Sequence, residues 1–132
     1  METYVLVDSK QRLAGETTNT YTYMLTTPLK SVFQAELVSA VFPRQTLDTQ
    51  ALVDINELRH QRQHKGCFAV IPTAATTVNS NVVYTTSSFF PSITKYDNVF
   101  DVDRFSVTWK DATSNGLTVG DNTMLLKISH IK

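Results

Sequence analysis

The stretch Leu29-Lys30-Ser31-Val32-Phe33-Gln34-Ala35-Glu36-Leu37-Val38-Ser39-Ala40-Val41-Phe42-Pro43 decides the fold. At period two, Phe33, Ala35, Leu37 and Val41 share one face. Gln34 and Glu36 share the other until Val38, Ala40 and Phe42 take it over. Such a strand is solvated on one side at its start and apolar on both at its end, so it runs into a core. Pro28 and Pro43 bracket it, and proline cannot donate to a ladder, so both are expected to mark strand limits. A helix is the competing reading. The segment has no capping box and is rich in Val and Phe, which favours the strand.

Outward from this segment the chain reads as short strands separated by turns. Thr3–Asp8 is apolar on both faces, and Ser9–Asn19 is a polar loop. Thr20–Thr27 alternates, with Tyr21, Tyr23 and Leu25 opposite Thr20, Thr22 and Thr26. Ala51–Leu58 alternates again. Cys67–Ile71 is a short apolar strand closed by Pro72, and Thr73–Asn81 is a polar loop. Val82–Thr86 and Phe89–Thr94 are weaker strands. Arg104–Lys110 places Phe105, Val107 and Trp109 opposite Arg104, Ser106, Thr108 and Lys110. Asn115-Gly116 signals a hairpin whose two turn residues take positive φ. Leu117–Val119 is a short strand, Gly120-Asp121-Asn122 turns again, and Thr123–Ile131 is the last strand. About eight strands and no helix over ten residues predict an all-β chain, a single antiparallel β-sandwich of jelly-roll type spanning residues 1–132.

Bulk properties narrow the function. The 132 residues carry twelve basic and twelve acidic side chains, so no global field draws in nucleic acid or an anionic membrane. A neutral, charge-poor surface favours association with other proteins. Cys67 is the sole cysteine, so no internal disulfide forms, which fits folding in a reducing cytoplasm. No apolar run approaches the roughly 18 residues of a membrane span, and no signal-peptide pattern opens the sequence.

Several patterns in order carry a family likeness. Val7-Asp8-Ser9-Lys10-Gln11-Arg12 is followed by Tyr21-Thr22-Tyr23-Met24-Leu25. Next come Pro28-Leu29-Lys30-Ser31-Val32 and Ala35-Glu36-Leu37-Val38-Ser39-Ala40-Val41-Phe42-Pro43. Val53-Asp54-Ile55-Asn56-Glu57-Leu58, Phe68-Ala69-Val70-Ile71-Pro72 and Val102-Asp103-Arg104-Phe105-Ser106-Val107 continue the series, and Asp111–Ile131 closes it. This order resembles the minor capsid and virion structural proteins of nucleocytoplasmic large DNA viruses, including those of chlorovirus type. The resemblance implies a jelly-roll-like sandwich in the virion, made in the host cytoplasm and set among capsomers. The implied partners are the major capsid protein, other minor capsid proteins and further copies of the chain itself. It brings no catalytic residues, cofactor or small-molecule substrate with it.

Candidate contact residues follow from the local pattern. Arg59, Arg62 and Lys65 lie in the most basic run, 59–66. That run reads as a solvated loop or as one docking on an acidic patch of a neighbouring subunit; without interleaved aromatics it argues against nucleic acid. His60 and His64, with Cys67 beyond, would share a face for a metal only on a helix, which the run does not support, so no metal is expected. Phe89 and Phe90 are adjacent in a strand and point to opposite faces, so one core cannot easily bury both and one of them is a candidate for a contact with a neighbour. The loop Thr73–Asn81 is a further contact candidate. Phe105, Trp109 and Tyr23 are expected in the core rather than at an interface. Asp97, Asp101 and Asp103 lack the glycine and glutamate of a calcium loop and read as turn carboxylates. No Gly-x-Ser-x-Gly elbow, phosphate loop, His-Glu-x-x-His or Cys-x-x-Cys is present, and no enzyme is expected. A receptor- or carbohydrate-binding sandwich module is the alternative function.

Overall fold

The computed structural model describes residues 1–58, 68–86, 93–113 and 115–131. The described chain is all-β and contains no α-helix. Its strands are β1 (Glu2–Asp8), β2 (Thr20–Pro43), β3 (Gln50–Ile55), β4 (Ala69–Pro72), β5 (Asn81–Thr85), β6 (Ile93–Lys110) and β7 (Thr123–His130). They form one antiparallel, curled sheet in the order β1-β7-β2-β6-β3-β4, with β5 paired to β2. Single 3-10 turns at Ser9–Gln11 and Asn56–Leu58 end β1 and β3.

The quoted segment is the second half of one 24-residue strand. Pro28 lies inside β2 rather than before it, at the register shift between Met24 and Leu29, where a missing donor breaks no ladder bond. Ser31 takes a positive φ of 54° beside a second shift. Its N–H donates to Asp101 Oδ1 at 2.9 Å, and Lys30 Nζ lies 3.6 Å from Oδ2 of the same carboxylate. Asp97, Asp101 and Asp103 therefore stand along β6, not in a turn.

The expected face assignment fails at two residues for one reason. Phe33 and Val41 point outward, each 37% exposed, while Leu29, Val32, Ala35, Leu37, Ala40 and Phe42 point in. Pairing with β7 shifts between Val32 and Gln34 and again between Leu37 and Ser39. Each β-bulge inserts one residue and inverts the alternation beyond it. Phe33–Gln34 and Val38–Ser39 are consecutive outward pairs as a result.

The core gathers these inward residues with Val5 and Val7 of β1, Val53 and Ile55 of β3, Val82 and Tyr84 of β5, and Met124, Leu126 and Ile128 of β7. Phe105 and Trp109 are fully buried as expected, and Trp109 packs on Phe42 with ring centroids 4.6 Å apart. Tyr23 is only partly buried against the core.

Asn122, read from the sequence as part of a turn, is the polar centre of this core at 1% exposure. Its Oδ1 accepts from the Tyr21 hydroxyl at 2.7 Å and from Trp109 Nε1 at 3.3 Å. Its Nδ2 donates to the Thr18 and Gly120 carbonyls, both at 2.9 Å. Its main chain exchanges two bonds with Ser9, N–H to Oγ and C=O from N–H, each 2.9 Å. Burial pushes the Tyr21 hydroxyl pKa far above its ordinary value, so it stays a donor. The amide can meet the demands of an indole N–H, a phenol and two carbonyls at once, which is why an apolar side chain cannot replace it.

The Asn115-Gly116 hairpin departs from expectation. Neither residue takes a positive φ. The Asp111 carboxylate instead accepts from the Thr113 hydroxyl at 2.6 Å and from the Thr113 and Asn115 N–H groups at 2.9 and 3.0 Å; the hydroxyl bond above all holds its pKa below the usual range. Leu117 and Val119 are buried but belong to no strand; Leu117 N–H donates to the Trp109 carbonyl at 3.1 Å.

Candidate functional site

Register places the outward side chains of β1, β7, β2 and β5 in rows across the sheet. One row is Asp8, Thr123, Val41 and Val83; the next is Leu6, Leu125, Ser39 and Thr85. A third runs Tyr4, Lys127, Glu36 and Ile93. The first two rows are mostly apolar or hydroxyl-bearing, whereas Lys127 bonds Glu2 Oε2 at 3.0 Å at the other end. Val83 is 70% exposed, Tyr4 58% and Leu6 56%. An apolar stretch crossing four strands and bordered by charge has the anatomy of a protein-contact surface. The bulge at Val38 builds it, because without that extra residue Val41 would turn into the core and Phe42 out.

Two strand edges are capped by carboxylates. Thr22 of β2 and Ser106 of β6 are cross-strand partners. Glu16 accepts the Thr22 N–H at 2.7 Å and its hydroxyl at 2.9 Å. Glu57, from the turn after β3, accepts the Ser106 N–H at 2.6 Å and its hydroxyl at 2.7 Å. Each glutamate takes the place of a missing neighbour strand at that residue. The Thr22 N–H bond is the main reason the Glu16 carboxyl stays below its ordinary pKa.

The loop Thr73–Asn81 is pinned by Arg44. Its N–H donates to the Ser80 carbonyl at 2.9 Å, its carbonyl accepts from Asn79 at 2.6 Å, and its guanidinium donates to the Thr76, Leu47 and Asp48 carbonyls. A tied loop presents a fixed surface. Arg59, Arg62, Lys65, Phe89 and Phe90, with His60, His64 and Cys67, lie outside the described residues. Among the described residues no group of three or more His, Cys, Asp or Glu is placed to hold a metal, and no helix is long and apolar enough to cross a membrane.

Alternation alone could not reveal the row of Val41 and Val83, because the bulge that creates it is set by pairing to a strand eighty residues away. The only local signal was Thr3–Asp8, whose apolar residues on both faces leave Tyr4 and Leu6 for the outside. No family model matches the sequence, and no curated protein matches it.

Proposed function

We propose that the chain is a structural protein, a jelly-roll-like minor capsid protein that cements capsomers of a large icosahedral DNA virus shell. The observation that carries the contact role is the apolar outer face of Leu6, Leu125, Val41 and Val83. The capsid assignment rests on the ordered motifs of the sequence. The mechanism is burial. Covering a valine or leucine fully is worth about 1.5–3 kcal/mol, so these half-exposed side chains together supply a few kcal/mol to a contact of standard size. Repeated contacts in a lattice add avidity.

The test mixes the purified chain with purified major capsid protein and measures association by sedimentation. The reading expects a complex that survives 0.5 M salt, since the face is apolar, and at least tenfold weaker association for Val83→Glu. Absence of a complex refutes it, and so does undiminished binding by the variant.

A receptor- or carbohydrate-binding module is the second reading. A surface basin of about 500 Å³ favours it, because Asp8, Lys10, Gln45, Asn81 and Asp121 converge there with groups suited to hydroxyls. Glycan binding by the isolated chain, lost in Asn81→Ala, would support that reading over the first.

A further inference from the structure

Strand β1 lies at the end of the sheet and, among the described residues, pairs only with β7. Two bonds bracket its ladder: His130 N–H to the Met1 carbonyl and Ser9 N–H to the Asn122 carbonyl, both 2.9 Å. In an antiparallel pair the hydrogen-bonded positions alternate. Odd-numbered residues therefore turn their main chain toward β7. Glu2, Tyr4 and Leu6 turn their N–H and C=O groups away from the sheet.

This edge lacks the devices found at three other places on the sheet margin. Thr22 and Ser106 carry glutamate caps, and β4 is four residues long and ends on Pro72. The seven residues of β1 contain no proline, no glycine and no register shift. A regular edge of this kind is a template for another strand.

A groove of about 620 Å³ runs beside it. Thr3, Tyr4 and Leu6 line one side and Tyr23, Leu25 and Leu29 of β2 the other. Among the described residues of the lining, Asp8 is the one acidic residue and there is no lysine or arginine. His130 also lines the groove. It is 6% exposed; its Nε2 hydrogen-bonds Thr3 Oγ1 at 2.7 Å, and its Nδ1 has no partner among the described residues.

We infer that this groove receives an extended segment of another polypeptide, which adds to β1 as a new edge strand. The occupant is set by chemistry. Three N–H and three C=O groups at strand spacing are complemented by a main chain, not by a headgroup or a sugar. The tyrosine and leucine walls take apolar side chains at alternate positions, and Asp8 takes a lysine or arginine at one end. The inference goes beyond the capsid reading and holds whichever protein supplies the segment.

The probe is an acetylated seven-residue peptide of alternating valine and threonine ending in lysine. Its control is the same peptide N-methylated at alternate amides, which cannot bond to the edge. Hydrogen exchange is followed by NMR on the full chain. In the free protein the Tyr4 and Leu6 amides exchange fast while those of Val5 and Val7 are protected. Saturating peptide slows Tyr4 and Leu6 exchange at least tenfold, and the methylated peptide does not. Leu6→Pro deletes an outward N–H and no β7 bond, so it weakens peptide binding at least tenfold with little loss of Tm. The inference is overturned if Tyr4 and Leu6 are already protected in the free chain. Failure of the peptide to bind at millimolar concentration, binding without slowed exchange, or equal binding of the methylated peptide also overturns it.

Discussion

Replacing Asn122 with alanine removes the acceptor of two buried donors and the donor to two carbonyls. Trp109 is wholly inaccessible and Tyr21 is 1% exposed, so neither can turn to water. An orphaned buried donor costs about 1–3 kcal/mol. The Thr18 and Gly120 carbonyls sit nearer the surface and recover part of their loss by hydration. The sum is about 3–5 kcal/mol, a large share of the roughly 5–15 kcal/mol that holds a domain folded. For a chain of this length it lowers Tm by about 10–20 °C. Trp109 is the only tryptophan, so its fluorescence reports urea unfolding at the perturbed site itself. A double-mutant cycle sharpens the test. Tyr21→Phe should cost about 1 kcal/mol in the parent chain but nothing, or a gain, in Asn122→Ala, where the hydroxyl is already unpaired. A loss below about 1 kcal/mol for Asn122→Ala, or additive effects in the cycle, refutes the reasoning.

Other consequences follow from single contacts. A Cβ at Gly120 would stand 2.9 Å from Pro43 Cγ and 3.3 Å from Gln45 Nε2, so Gly120→Ala should cost about 1–3 kcal/mol by urea titration; an unchanged midpoint contradicts the packing. The folded Glu16 carboxyl titrates below its ordinary value of 4.5, so its stabilisation is complete above that pH and is lost as pH falls through the lower folded value. Glu16→Gln should therefore flatten the acid limb of the stability curve, and identical curves would show that the cap at Thr22 contributes nothing. Burial raises the Tyr21 and Tyr96 hydroxyls well above their ordinary value of 10.0, so stability is full below pH 10 and falls as pH rises past it. Tyr96→Phe should soften that alkaline loss, and an equally steep alkaline limb would count against the burial account.

Much of the strand content was legible because alternation is a local property. Phe105, Val107 and Trp109 point inward as their spacing demands, and so do Tyr21 and Val53. What was not legible depends on distant partners. The bulges at Phe33 and Val38 arise from pairing with β7, so Val41 read as core although it faces outward. Pro28 read as a strand boundary because nothing local shows that its missing N–H falls at a register shift. Asn122 read as a turn residue, since Gly120-Asp121-Asn122 has turn composition. Its role appears only when Ser9, Thr18, Tyr21 and Trp109 arrive from four segments. The open edge of β1 is likewise a fact of topology, which composition does not encode.

The central claim is that the outward face around Val41 and Val83 is covered by a partner in the assembled particle. The most direct measurement places a cysteine at Val83 in a chain whose Cys67 is serine, then compares maleimide labelling of the purified chain and of intact virions. The account predicts rapid labelling of the free chain and at least tenfold slower labelling in virions, relative to Leu47→Cys at a loop residue that is 83% exposed. Equal labelling at position 83 in both states would contradict it.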